Sequence, residues 1–228
     1  MWSMAGIRVK VLGRQLAAVA ALVIVAAAGA QPESRGSAWS DAPDPGFTRP
    51  ASADSAPSYA EALARWSSAE AINTWLGARF SYDADRALAL SETARAAGAS
   101  SPVLEPEAFY ARPHGVCLDM ARFAVSALRQ VEPQAHAAFL MIEFEPVRIS
   151  GQVLRRHWLA TFERDGAHYF FADSKRPGHM AGPYPSVEAF IAEYSVYRGR
   201  RIVAHRVAET HERRLRMQAQ KALRSERH

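Results

Sequence analysis

The sequence predicts an α+β fold in which N-terminal helices pack on an antiparallel sheet. Two observations carry this. Up to Pro133 the apolar residues recur at helical spacing, and after it they alternate. A third observation says where chemistry would sit: the only cysteine, Cys117, opens the clearest amphipathic pattern, just after a Pro113/Gly115 turn signal. Cys117, Ala121, Ala124, Val125 and Leu128 form one stripe, while Asp119, Arg122, Ser126 and Arg129 fall on another. A thiol in the first turn of a helix meets unpaired N–H groups and the positive end of the macrodipole. Both favour the thiolate.

The 228 residues suit one domain with extensions. Residues 1–30 read as an export signal: Arg8, Lys10 and Arg14, an uncharged apolar run over 16–28, and an Ala28-Gly29-Ala30 ending. The run is short for a membrane span of about 20 residues. The expected location is therefore periplasmic or secreted, with no other membrane segment. Residues 31–57, rich in Pro, Ser, Ala and Asp and without apolar period, read as a disordered linker. The formal charge of +5 resides at the ends. Residues 1–30 hold three basic and no acidic residues, and the tail from His211 holds six basic and two acidic, which leaves −2 for the middle. That excludes a basic surface for nucleic acid. An exported chain with one cysteine cannot form an internal disulfide, so its thiol is either buried and inert or kept for reactivity.

In chain order, Ser58 with Glu61 and Ser67 with Glu70 match capping boxes and open two helices. Ile72, Trp75, Leu76 and Phe80 form a core stripe on the second. A helical segment over 84–97 stops at Gly98, Pro106 opens a short helix, and the thiol helix follows. Strands are expected over 137–144, 153–162 and 168–173, with breaks at Pro146 and Ser150-Gly151 and a hairpin turn at Asp165-Gly166. A short helix over 185–194 and a strand over 201–208 complete a domain of residues 58–208. Residues 209–228 are a basic, charged tail.

A thiol nucleophile needs a base and a group that orients the base. If the hairpin loop is Arg164 to Gly166, with Gly166 as the left-handed residue of a bulged turn, Glu163 faces Ala167 and His157 falls opposite Asp173. Opposed side chains share a face, so Asp173 could hold one imidazole nitrogen and leave the other for Cys117. In this register Leu159, Thr161, Tyr169 and Phe171 share that face, and Trp158, Ala160, Phe162, Phe170 and Ala172 lie on the other. A two-residue turn would set Asp173 opposite Trp158, on the wrong face. Taken singly, His157 is a packed histidine and Asp173 a strand-end turn residue. Together with Cys117 they read as a catalytic triad.

Gly115-Val116-Cys117, a strand carrying His157-Trp158, and Tyr169-Phe170-Phe171-Ala172-Asp173 resemble the cysteine, histidine and aspartate blocks of the transglutaminase-like superfamily. Phe80-Ser81-Tyr82-Asp83 and Pro106-Glu107-Ala108-Phe109 resemble its bacterial transglutaminase-like cysteine proteinase branch, over residues 69–192. The resemblance implies a papain-like/transglutaminase-like core with Cys117 as nucleophile, His157 as general base then acid, and Asp173 as orienter. It also implies a protein or peptide substrate. Acidic residues usually flank the cysteine in that branch. Here Val116 and Leu118 do, and only Asp119 is acidic, so no cofactor is expected, with Asp119 the one residue left open as a ligand for the calcium known in part of the branch and otherwise a first-turn helix residue.

The expected activity is acyl transfer through a thioester, as a peptidase. A transglutaminase or glutamine deamidase is the rival, and a non-catalytic binding protein on the same scaffold the alternative of another class. The Cys117 N–H is the expected oxyanion donor, with Tyr82 or Trp75 open for the second. His114 competes as base but reads as a turn residue. Oligomeric state has no sequence signal.

Overall fold

The computed structural model describes residues 40–50, 56–98 and 101–212. The expected export signal and most of the basic tail lie outside the described residues.

Helix α1 (Tyr59–Arg65) begins as expected: the Ser58 hydroxyl donates to the Glu61 carboxylate and accepts from the Glu61 N–H. Helix α2 (Ala69–Arg79) begins one residue late. Ser68, not Ser67, is its N-cap and makes no side-chain cap bond, while Glu70 is turned towards Arg164 at 2.7 Å. The helix expected over 84–97 is two, α3 (Ala84–Ala89) and α4 (Glu92–Ala96). Ser91 accepts the Ala94 N–H and so starts the second with a cap of its own. A two-residue parallel ladder joins β1 (Ser81–Tyr82) to β2 (His114–Gly115), flanking the short helix α5 (Pro106–Ala111).

Helix α6 (Cys117–Val131) is the thiol helix. Its apolar stripe is buried with Trp75, Phe109, Tyr110 and Phe123. Asp119, off the apolar stripe in the first turn, is fully buried. Its Oδ2 accepts from the Val116 N–H at 3.0 Å and from Arg86 Nε at 2.7 Å, and its Oδ1 from the Leu104 N–H and Arg86, both at 2.9 Å. A Cβ at Gly115 would lie 2.8 Å from Asp119 Oδ2, so only glycine lets this carboxylate fold back over the helix start.

The sheet is five-stranded and antiparallel throughout, in the order β6-β5-β4-β3-β7. Its strands are β3 (Ala138–Ile149), β4 (Gln152–Arg164), β5 (Ala167–Phe171), β6 (Ala181–Tyr184) and β7 (Ile202–Ala208). The architecture is α+β. Pro146 does not end β3 but sits in a shift of register between Glu143 and Val147. Helix α7 (Val187–Arg198) runs further than expected and covers one face of the sheet, opposite α6.

The β4–β5 hairpin corrects the expected register. Asp165 (φ 53°) and Gly166 (φ 74°) both have left-handed backbone, so the turn has two residues, and Arg164 pairs with Ala167 rather than Glu163. Every later pair moves by one, and Ala160 faces Phe171. Phe171 and Tyr169 therefore join Trp158, Ala160 and Phe162 on the α6 face, whereas Phe170 joins Leu159, Phe190 and Tyr194 on the α7 face.

The stretch expected as a disordered linker is, over residues 40–50, seated on the body. Asp44 accepts an ion pair from Lys175 Nζ at 2.8 Å, its N–H donates to the Lys175 carbonyl at 3.0 Å, and the Tyr197 hydroxyl donates to its carboxylate. Arg49 donates to the Ala78 and Phe80 carbonyls at 3.1 and 2.8 Å, at the C-terminal end of α2. Acidic residues meeting basic ones, and an arginine meeting orphan helix carbonyls, seat a segment that has no apolar period.

Candidate active site

Cys117, His157 and Asp173 come together, but by another route than the expected one. With the two-residue turn, continued strand geometry would carry Asp173 to the wrong face. The strand does not continue. Ala172 takes a left-handed conformation (φ 57°) directly after β5 ends at Phe171, which breaks the alternation and returns Asp173 to the α7 face. There its Oδ1 lies 3.1 Å from His157 Nε2.

Asp173 is held on every side. Its Oδ1 also accepts the Lys175 N–H at 2.9 Å, its Oδ2 accepts the Tyr194 hydroxyl at 3.0 Å, and Arg176 Nε is 3.5 Å away. The Tyr194 ring lies nearly parallel to the His157 imidazole, with centroids 6.0 Å apart. The His157 side chain is fully enclosed. A carboxylate on Nε2 fixes both ring angle and tautomer and leaves Nδ1 to do chemistry.

Departure of β5 at Ala172 also leaves β4 unpaired on its β5 side beyond Ala160, while β3 still pairs with the other side. The sulfur of Cys117 lies against this open edge and accepts the Trp158 N–H. Cys117 is 7% exposed and lines a cleft with Tyr82, Leu118, Arg155, Arg156 and Trp158.

One carboxylate enters the site unannounced by the sequence. Asp41 Oδ2 lies 3.1 Å from His157 Nδ1 and 3.8 Å from Cys117 Sγ. Nδ1 has no aligned hydrogen-bond acceptor, so the short approach of Asp41 is an ion pair rather than a straight N–H···O bond. Asp41 Oδ1 accepts from Arg198 at 2.8 Å, and the Asp41 carbonyl accepts from the Ser174 hydroxyl at 2.8 Å. Arg198 is itself wedged between the rings of Phe144 and Tyr194.

Electrostatics follow from these distances. Burial by itself would lower the His157 pKa, but Asp41, with Asp173, outweighs it and holds the imidazolium well above 6.5. Burial would raise both carboxyls, yet His157 and the nearby arginines bring Asp173 down to about 2 and Asp41 further below its ordinary range. The Cys117 thiol is raised, by burial first and by the Asp41 charge, against the lowering effect of the nearby His157.

The other sequence candidates lie elsewhere. His114 is bonded to Ser81 Oγ at 3.0 Å and lies 3.3 Å from Asp83, in the small parallel ladder. Trp75 stacks on Tyr110 inside the aromatic core, at 4.8 Å between centroids. Tyr82 does line the cleft, and its hydroxyl is bonded to Ser40. The Asp119 carboxylate does not suit calcium, because Arg86 and two backbone N–H groups already take both of its oxygens. Among the described residues, Asp41, Cys117 and His157 place one oxygen, sulfur or nitrogen donor each within 4.8 Å of one another, a set that suits a softer cation such as zinc.

Sequence reasoning missed Asp41, Tyr194 and Arg198. Tyr194 and Arg198 lie one helical turn apart on a helix expected to end before Arg198, and Asp41 lies in a stretch with no secondary-structure signal. Among the described residues no helix is long and apolar enough to cross a membrane. Neither a protein-family model nor a curated protein matches the chain, so its chemistry rests on the geometry above.

Proposed function

We propose that this chain is an exported thiol enzyme of the transglutaminase-like kind, a peptidase that cleaves protein amide bonds through a thioester on Cys117. One observation carries the reading: a single imidazole held by Asp173 through Nε2 turns Nδ1 towards a lone sulfur at the start of a helix. An inert buried cysteine needs none of that apparatus. The antiparallel sheet with α6 on one face is compatible with the papain-like core that the resemblance implies.

In the reaction Cys117 attacks the amide carbonyl as a thiolate, its proton held on His157 Nδ1 in the ion pair the two form. The leaving amine takes that proton as the C–N bond breaks. Water then attacks the thioester, gives a proton to His157, and releases an acid with the sulfur restored. The Cys117 N–H and the Tyr82 hydroxyl are the donors proposed for the oxyanion.

The test is mass spectrometry of products and adducts formed by the purified exported chain with a peptide library. The expected result is cleaved peptides and an acyl adduct on Cys117, both lost in His157→Ala. Cys117→Ser should slow turnover at least about 10²-fold, because the weaker nucleophile needs fuller activation. Crosslinked peptides, or a gain of about one dalton at glutamine, would move the assignment to a transferase or deamidase, since the same thioester can be resolved by an amine or arise from a side-chain amide. No product and no adduct from either protein would leave a binding scaffold.

A further inference from the structure

The Asp41 carboxylate lies where an acyl group would have to lie. Attack by Cys117 places the reacting carbon beside Sγ and its leaving group beside His157 Nδ1, and Asp41 Oδ2 already occupies that gap, 3.8 Å from one and 3.1 Å from the other. With this charge in place the imidazolium faces a carboxylate instead of a thiolate. The anchors of the segment lie mostly outside the reacting groups: Ser174 on the Asp41 carbonyl, Lys175 and Tyr197 on Asp44, and Arg49 on the end of α2. The carboxylate itself is received by Arg198, whose side chain is wholly enclosed and reaches it at 2.8 Å.

We propose that the cleft at Cys117, His157 and Arg198 binds a polypeptide presenting a carboxylate, and that residues 40–50 are its built-in occupant, a tethered inhibitor with Asp41 as product mimic. Hydrolysis of an amide leaves a carboxylate at this place, and Arg198 is the group that recognises it. The proposal rests on the thiol-enzyme reading for its biological sense, but its geometry concerns only access to the sulfur. Tethering supplies the segment at an effective concentration on the order of millimolar, so it holds the cleft without tight intrinsic affinity.

The experiment measures the alkylation rate of Cys117 by iodoacetamide at pH 7, in chelator, on the full exported chain. Asp41→Ala should react at least about tenfold faster than the unaltered chain, since the competent conformer is no longer a minor one. Asp44→Ala, which loosens an anchor distant from the sulfur, should give a smaller rise and guards against a local artefact of the first variant. A synthetic peptide of residues 40–50, added at millimolar concentration, should slow Asp41→Ala again, and the same peptide carrying Asp41→Ala should not. Equal alkylation rates in the unaltered chain and both variants, or a fall in Asp41→Ala, overturn the proposal. Alkylation does not require acyl transfer, so the two readings fail separately. Fast alkylation of Asp41→Ala with no cleavage of any peptide defeats the peptidase alone. Equal cleavage by the unaltered chain and Asp41→Ala defeats the tethered inhibitor alone.

Discussion

The two faces of the sheet are built on different principles. On the α6 face, Phe123 packs among Tyr59, Trp75 and Phe109 with centroids 5.0 to 5.4 Å apart, and the buried charge of α6, Asp119, is kept at the helix start with Arg86. On the α7 face His157, Asp173, Tyr194 and Arg198 are as deeply buried, but each is held by a charge or hydroxyl of another. The first face gains free energy simply by leaving water. The second must recover a desolvation cost through pairing, and so is stable only while all its partners are present and correctly protonated. Only the second presents polar groups that can be drawn into a reaction.

The sharpest way to test this contrast is to cut each face once. Phe123→Ala should cost about 3–5 kcal/mol in denaturant unfolding, as truncation of a packed aromatic does, with no dependence on pH. If the loss varied with pH, the division between the faces would fail.

Next in size is acid sensitivity. Asp173 is lowered in the folded chain to about 2, so its contribution is fully present above the unfolded value of about 4 and is lost as pH falls from there towards 2. His157 has the opposite sign: its folded pKa is raised, so its contribution is present below about 6.5 and is lost as pH rises through the folded value. Unfolding midpoints from pH 2 to pH 10 should therefore form a dome. Asp173→Asn should flatten its acid side, and an unchanged acid limb in that variant would show that the pair does not support the α7 face.

The smallest cut is Tyr194→Phe, which removes one hydroxyl shared by Asp173 and Arg198. It should cost about 1.5–3 kcal/mol, the range for breaking a buried hydrogen bond to a charged group. Because Tyr194 acts through Asp173, it is a positioning residue. The variant should also move the pH profile of Cys117 alkylation, which loss of packing alone would leave in place.

The faces also differ in how far they can be read from the chain. Period suffices for the apolar one: the α6 stripe and the alternation of β4 follow from residue spacing, because burial of apolar surface is what spacing records. The polar face depends on backbone events that leave no such trace. Asp173 was expected beside His157 and is there, yet the premise of a three-residue loop was wrong. The contact is rescued by Ala172, a residue type with no preference for the left-handed region it occupies. Asp41 was hidden for a different reason. Its segment is placed by ion pairs and carbonyl bonds to residues far along the chain, whereas local composition reports only the lack of an apolar repeat. The break at Leu90 and the strand Ala181–Tyr184, which contains Gly182 and Pro183, escaped because caps and edge pairing overrode the local pattern.

The Trp158 contact has a bearing on how this protein can vary. The donor that reaches the sulfur belongs to the main chain, so exchange of the indole for any side chain but proline's leaves it in place. Selection on the thiol's environment must then act on where β4 runs, while the choice of residue at 158 answers only to the ring's neighbours. Two requirements that meet at one residue are in this way inherited separately.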